Sequence, residues 1–209
     1  MTKFLVVFDV DSTLIEQEAI ELLAGYSQSA ELVQQITERA MRGEIDFNQS
    51  LIERVATLRG LPDAILSEVS QSLTLTKGAK ELVSEIHERG GKAAAVSGGF
   101  IQLLDPIREA LSLDYAAANA LGVKDGKLTG EVVGEIVNRQ AKADYLEKWA
   151  GEEGLDLART IAVGDGANDL GMMAIAGLSV AFCAKPIVNQ TADICLRERD
   201  LAQLIELLP

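Results

Sequence analysis

The sequence predicts an α/β protein with a doubly wound, Rossmann-like parallel sheet, an inserted helical segment and a small β-hairpin. From residue 76 onward, short apolar runs of strand length alternate with helical patterns, which is typical of a parallel sheet. Before residue 76, a long helical stretch separates the first apolar run from the second. The turn sequence Lys124-Asp125-Gly126-Lys127 between two strand-like runs indicates the hairpin.

The first apolar run, Phe4–Phe8, has the continuous hydrophobicity of a strand that is buried on both faces. Asp9 and Asp11 follow it, two residues apart, so that in extended chain their side chains point the same way. Open α/β sheets bind ligands at the carboxyl ends of their strands. The pair is therefore a candidate site, although a solvated turn after a strand has the same sequence pattern.

The helical stretch contains four predicted helices, which are Leu14–Tyr26, Ala30–Met41, Asp46–Leu58 and Pro62–Ser72. It separates the first strand from the next, Lys92–Val96, by more chain than a simple crossover needs. We assign 15–75 to a helical cap (the insert) and 1–14 with 76–209 to the α/β core. The core carries the hairpin flap at about 120–136. An insert at this position would cover a site at the end of the first strand.

Two further polar loops follow apolar strands, Ser97-Gly98-Gly99 after Lys92–Val96 and Gly164-Asp165-Gly166 after Thr160–Val163. In a parallel sheet both loops would reach the same edge as Asp9. We expect a helix from Ser97 to about Ala110, whose N-terminal N–H groups and serine hydroxyl would cradle a phosphate. A tight turn with a serine N-cap explains the same residues. The other predicted elements are helices Gly78–Arg89, Ala141–Glu152, Leu170–Ala176 and Leu201–Leu208 and strands Tyr115–Asn119, Leu178–Phe182 and Ala192–Leu196.

Composition excludes several classes of function. The formal net charge of -13 over 209 residues argues against nucleic acid or an anionic membrane as a partner. The longest apolar stretch, Met172–Ala184, is too short to span a bilayer and no signal peptide is visible, so a cytoplasmic protein is expected. Cys183 and Cys195 fit buried reduced thiols better than a disulfide or a metal pair. The presence of a single histidine, His87, argues against a histidine-rich zinc site.

Acidic residues and one lysine suggest a magnesium site. Asp9, Asp165 and Asp169 offer oxygen ligands, which suit Mg²⁺ better than zinc or copper. Lys142 falls on the same side of its predicted helix as Leu146, away from solvent. Its ammonium group therefore either snorkels to the surface or points into a site, and the excess of acids favours the site.

In this order, the segments Asp9-Val10-Asp11-Ser12-Thr13, Ser97-Gly98-Gly99-Phe100, Lys142 and Gly164-Asp165-Gly166-Ala167-Asn168-Asp169 resemble the haloacid dehalogenase superfamily over essentially the whole chain. They are most similar to its branch that hydrolyses phosphoserine, the last step of serine biosynthesis. The resemblance implies that Asp9 attacks phosphorus and forms an aspartyl-phosphate. It implies that Asp11 is first the general acid and then the base. It also implies a magnesium site at Asp9, Asp11 (through its carbonyl), Asp165 and Asp169, and phosphoryl contacts from Ser97, Gly98, Gly99, Lys142 and Asn168.

The insert carries the residues that would choose the substrate. Arg54 lies within the apolar stripe of its predicted helix, where it is costly unless it meets an anion such as a carboxylate. Glu18 lies near the apolar side of its own helix and could bind an ammonium group. A cation and an anion beside a phosphate site describe a phosphoamino acid. The resemblance assigns the amine to Glu18, pocket closure to Phe47 and the carboxylate to Arg54, whereas Phe47 is equally compatible with core packing.

Two other readings use the same residues. A phosphotransferase would pass the phosphoryl group from Asp9 to an amino-alcohol such as homoserine instead of to water. A phosphoaspartate receiver domain also has acids at strand ends and a lysine, but it lacks an insert such as 15–75. For the enzyme we expect a small-molecule substrate and a possible homodimer.

Overall fold

The computed structural model describes residues 1–41 and 44–209. Within that part of the chain, seven strands form one sheet in the order β4-β3-β2-β1-β5-β6-β7. The strands are β1 Leu5–Phe8, β2 Lys92–Phe100, β3 Tyr115–Lys124, β4 Lys127–Val133, β5 Thr160–Gly164, β6 Leu178–Phe182 and β7 Ile194–Leu196. All neighbours are parallel except the hairpin pair β3 and β4. The predicted doubly wound α/β sheet is confirmed.

The helices cover both faces of the sheet and form the insert. They are α1 Ala19–Tyr26, α2 Ala30–Met41, α3 Phe47–Ala56, α4 Ala64–Ser72, α5 Ala79–Glu88, α6 Ile101–Leu111, α7 Arg139–Glu152, α8 Leu170–Ile175 and α9 Pro186–Asn189. Short 3-10 helices span Leu157–Arg159 and Leu201–Leu207. In the described ranges, no helix combines the length and the apolar character needed to cross a membrane.

Strand β1 is the centre of the fold because it is buried on both faces. Val6 and Phe8 pack into the hydrophobic cluster under α5 and α6. Leu5 and Val7 point the opposite way, into the cluster under α7 and α8. The strand pairs with β2 on one side and β5 on the other. Strand order therefore reverses at β1, and a ligand crevice is expected at its carboxyl end.

Two predicted helix starts are wrong. Helix α1 begins at Ala19 and not at Leu14, because 10–14 form a tight turn in which Ser12 has a φ of 57°. Strand β2 continues through the predicted turn Ser97-Gly98-Gly99, because Ser97 and Phe100 still pair with β3 across a bulge. The N–H groups of this loop thus lie in extended chain and not at a helix N-terminus. The predicted α-helix Leu201–Leu208 is instead a 3-10 helix, which spans Leu201–Leu207.

Helices α1–α4 lie between the two connections to the core and pack into one hydrophobic cluster, which also includes Phe100 and Leu103 of the core. The connections pair with each other, since Ile15 bridges Leu75 and the N–H of Thr76 donates to the carbonyl of Leu14 at 2.9 Å. The cluster also takes in Leu121 and Leu128 of the hairpin. The insert is therefore held to the core by its two adjacent connecting segments and by this shared cluster.

The hairpin is hydrogen-bonded to the insert. The N–H of Gly60 donates to the carbonyl of Leu128 at 2.8 Å, and the N–H of Leu128 donates to the carbonyl of Leu61 at 2.9 Å. A third bond runs from the N–H of Asp63 to the carbonyl of Gly126 at 3.0 Å. The hairpin belongs to the core sheet through β3 and supports the insert through β4.

The two cysteines, expected to be buried, are half-buried free thiols.

Asp114 joins the start of β3 to its neighbours. It accepts hydrogen bonds from the ammonium group of Lys92 at 2.7 Å, the N–H of Ala93 at 2.9 Å and the ring of His87 at 2.9 Å. Burial alone would raise the pKa of Asp114, but these hydrogen bonds outweigh it and hold the pKa below its usual 3.8. The ionised form therefore stabilises the fold above that pH, and its contribution is lost as the pH falls through the lowered pKa.

We expect Asp114→Asn to lower the free energy of unfolding by about 1–3 kcal/mol at pH 7, because charge-assisted hydrogen bonds are replaced by neutral ones. The difference from the wild type should shrink as the pH falls below 3.8 and through the lowered pKa, where Asp114 becomes protonated in the folded protein as well. Urea unfolding at pH 7 and at a pH below 3.8 measures the difference in the free energy of unfolding. Asp144→Asn is the matched control, because Asp144 is exposed and bonded within its own helix. An equal loss at both pH values would contradict the assignment.

Candidate active site

Three carboxylates meet at the carboxyl edge of the sheet, where β1 and β5 end. Asp9 follows β1, Asp165 follows β5, and Asp169 lies four residues further on. All three are buried, and one carboxylate oxygen from each lies within 4.8 Å of those of the other two. Adjacent parallel strands bring the first two together. The side chain of Asp169 fits only because residue 164 is glycine, since a Cβ there would lie 2.4 Å from its Cγ.

Lys142 lies among these acids and is fully buried. Its Nζ is 2.5 Å from Oδ1 of Asp9 and 2.6 Å from Oδ1 of Asp169. Leu146 and Trp149, on the same side of α7, pack into the core and place the lysine there. Burial alone would lower the pKa of Lys142, but Asp169 and Asp9 outweigh it and raise the pKa. The ammonium group therefore stays protonated.

Negative charge exceeds positive charge in this cluster. Burial, and then repulsion from Asp169, raises the pKa of Asp9. Burial raises the pKa of Asp165 to about 6, although Lys185, whose Nζ lies 3.9 Å from Asp165, opposes the shift. A buried all-oxygen donor set with excess negative charge fits a hard divalent cation. The residues present therefore fit a metal ion.

Asp169 differs from the other two acids in its contacts. One of its oxygens binds Lys142, and the other accepts the N–H groups of Asp165 at 3.1 Å and Gly166 at 2.9 Å. Both oxygens are thus engaged in fixing the lysine and the loop. Asp9 and Asp165 are the better candidates for direct contact with a metal ion.

Asp11 lies between the core and the insert. Its Oδ1 accepts the N–H of Ala19 at 2.7 Å, and its Oδ2 accepts the hydroxyl of Ser97 at 3.1 Å. The Ser97 hydroxyl also accepts the N–H of Gly99 at 2.7 Å. Burial, reinforced by Glu18, raises the pKa of Asp11 to about 6. This carboxyl group can therefore hold or release a proton near neutral pH.

The insert places Glu18, Phe47 and Arg54 on the same side as Asp11. Glu18 accepts the hydroxyl of Ser12 at 2.7 Å. Arg54 is half-buried, its Nε donates to a main-chain carbonyl of its own helix at 3.2 Å, and burial lowers its pKa against the opposing pull of Glu18 and Asp11. Phe47 reaches the core, because a Cβ added to Gly98 would lie 2.9 Å from its Cζ.

Asn168 lies between two of the polar loops. A Cβ on Gly166 would lie 2.4 Å from its Oδ1, and a Cβ on Gly98 would lie 3.7 Å from its Nδ2. The structure thus brings together the three predicted loops, Lys142 and the three insert residues.

Asn119 is a positioning residue that sequence reasoning missed. It is buried, its Nδ2 donates to the carbonyl of Gly98 at 2.8 Å, and its Oδ1 accepts the N–H of Val137 at 2.8 Å. It links the loop after β2 to the chain that leads into α7. Its only signal in the sequence is a polar amide within the apolar run of β3.

Comparison with known proteins identifies the family. Residues 6–174 match the haloacid dehalogenase-like hydrolase model. The chain belongs to the haloacid dehalogenase-like hydrolases. The phosphoserine phosphatase of Streptococcus thermophilus is 53% identical to it over 206 residues, which cover 99% of this chain and 96% of that protein.

Two solved structures of phosphoserine phosphatase share the whole fold of this hydrolase. One is described as a phospho-aspartyl intermediate analogue, with 47% identity and a TM-score of 0.94. The other is a substrate-bound complex, with 46% identity and a TM-score of 0.94. Each comparison covers 100% of both chains.

We expect Asn119→Ala to lower the free energy of unfolding by about 1–3 kcal/mol, because it leaves the part-buried carbonyl of Gly98 and the buried N–H of Val137 unpaired. Hydrogen exchange at the Val137 amide should accelerate. Urea unfolding and exchange mass spectrometry measure the two effects. Gln102→Ala is the matched control for exchange at Val137. The amide of Gln102 also bridges main-chain groups of this strand, but they are the N–H and carbonyl of Leu121. Unchanged exchange at Val137 would count against the assignment.

Proposed function

We propose that this protein is a phosphoserine phosphatase, which hydrolyses phosphoserine to serine and phosphate through an aspartyl-phosphate on Asp9. The observation that carries the proposal is a buried cluster of carboxylates and a lysine, which a half-buried arginine, Arg54, and a glutamate, Glu18, face from the insert. The full-length likeness to phosphoserine phosphatases supports it. The reaction completes serine biosynthesis.

Asp9 is the nucleophile. Lys142 binds its Oδ1 and holds the carboxylate in one orientation. A bond forms between Asp9 and phosphorus while the bond from phosphorus to the serine oxygen breaks. Splitting the hydrolysis in this way replaces one difficult displacement by two easier ones.

Asp11 manages the proton in both steps. In its acid form it protonates the departing serine oxygen, and the resulting carboxylate then takes a proton from the water that attacks phosphorus. This attack breaks the bond between phosphorus and Asp9, which releases phosphate and restores the Asp9 carboxylate. A pKa raised to about 6 suits both roles, because neither form is strongly disfavoured near neutral pH. Ser97 and the N–H of Ala19 hold the carboxyl group in place.

We propose Mg²⁺ as the cofactor, held by Asp9, Asp165 and the carbonyl of Asp11, with Asp169 fixing Lys142 and the loop. When bound, the ion supplies positive charge beside the phosphoryl group. Lys142 supplies further positive charge from the chain itself. Ser97, Gly98, Gly99 and Asn168 surround the remaining phosphoryl oxygens.

Substrate choice resides in the insert. Arg54 would pair with the carboxylate of phosphoserine, and Glu18 with its ammonium group. Phe47, which contacts Gly98, would close the pocket against water. The substrate is thus a small molecule, and a cytoplasmic location and a homodimer complete the proposal.

Asp9→Asn should reduce phosphate release from phosphoserine by at least about 1000-fold, because the amide cannot form the phosphorylated intermediate. Circular dichroism should show an intact fold. Colorimetric phosphate release with Mg²⁺ measures the loss, and added homoserine tests for transfer instead of hydrolysis. The control is Asp144→Asn, on the exposed side of α7. Normal turnover by Asp9→Asn would remove the nucleophile assignment.

Arg54→Ala should raise KM for phosphoserine about 10- to 100-fold, since a charge-assisted pair with the substrate carboxylate is lost. For phosphoethanolamine, which lacks that carboxylate, KM should change little. Steady-state kinetics on both substrates measure the contrast. Arg39→Ala removes a neighbouring arginine that binds Glu53 and is the matched control. Equal effects on both substrates would make Arg54 a structural residue.

A further inference from the structure

Asn138 has contacts on both sides of the boundary between insert and core. Its Nδ2 donates to Oδ1 of Asn48 in α3, at 3.3 Å. Its own Oδ1 accepts the N–H groups of Gln140 at 3.0 Å and Ala141 at 3.1 Å, which makes it the N-cap of α7. One side chain therefore contacts the insert and begins the helix that carries Lys142.

The two ends of this contact are next to site residues. Asn48 directly follows Phe47, whose ring lies against Gly98. On the other side, the carbonyl of Asn138 accepts the N–H of Lys142 at 2.9 Å, in the first turn of α7. The preceding N–H, that of Val137, is held by Asn119. The Asn138 side chain thus connects α3 of the insert to the first turn of the helix that carries Lys142.

We propose that Asn138 is a positioning residue, which through its bond to Asn48 ties the insert, in the placement seen in the structure (called closed below), to the start of the lysine-bearing helix. This proposal rests on the proposed function, because closure matters only if the substrate binds between insert and core. Loss of the bond would reduce the population of the closed insert and weaken substrate binding in proportion. Loss of the N-cap would instead loosen the first turn of α7 and misplace Lys142.

These two roles can be separated by substitution. Asn138→Ser keeps an N-cap oxygen but loses the donor to Asn48, whereas Asn138→Ala loses both. Asn48→Ala removes the same bond from the insert side. Gln49→Ala and Gln140→Ala are matched controls, since each removes an exposed amide bonded within its own helix.

We expect Asn48→Ala, Asn138→Ser and the double variant each to raise KM for phosphoserine about 3- to 10-fold, without lowering kcat. The effects should not add, because all three variants lose one bond. Asn138→Ala should in addition lower kcat at least about 3-fold. Both control variants should match the wild type. Additive effects, an unchanged KM, or equal kinetics for Asn138→Ser and Asn138→Ala would overturn the proposal.

A second measurement does not depend on turnover. In the protein without substrate, Asn138→Ser should accelerate hydrogen exchange of the amides in α3 about 3- to 10-fold, although the substitution lies in the core. Gln140→Ala should not. Unchanged exchange in α3 would overturn the proposal. Absence of phosphate release by the wild type would instead defeat the proposed function and leave the exchange result to decide the role of Asn138.

Discussion

The structure depends on one buried interaction, the ammonium group of Lys142 between Asp9 and Asp169. Taking three charged side chains out of water is costly, and the cost is offset only by short, well-oriented contacts. Each partner comes from a different part of the chain. Asp9 lies at the end of β1, Lys142 near the start of α7 and Asp169 in the loop after β5. Those three segments must therefore be placed together before the cluster is stable. The site therefore forms only when this edge of the sheet is assembled.

That constraint explains why much of the core could be predicted from the sequence. The apolar run of β1 has no alternative to a central buried strand, and both of its faces are covered as expected. Carboxylates after β1 and β5 meet because parallel strands end at one edge. The position of Lys142 on the same side of its helix as Leu146 predicts that it points away from solvent. A buried lysine has few stable environments other than a group of acids.

What the sequence did not predict depends on contacts between distant residues. The extension of β2 through Gly98 and Gly99 requires pairing with β3, which overrides the turn tendency of two glycines. The hydrogen bonds between the hairpin and Gly60 and Leu61 involve main-chain atoms, which leave no pattern in side chains. Asn119 is an ordinary amide until the fold places Gly98 and Val137 on its two sides.

Under the proposed function, the contacts of Asp11 make the insert part of the chemistry as well as of substrate choice. One of its oxygens is held by Ser97 of the core and the other by the N–H of Ala19, the first residue of α1 in the insert. Glu18, also in the insert, adds to the burial that raises the pKa of Asp11. Asp9 and Lys142 bind each other within the core, whereas both oxygens of Asp11 and its proton affinity depend on core and insert together. In the proposed mechanism, proton transfer to the leaving group is therefore correctly arranged only while the insert is in place.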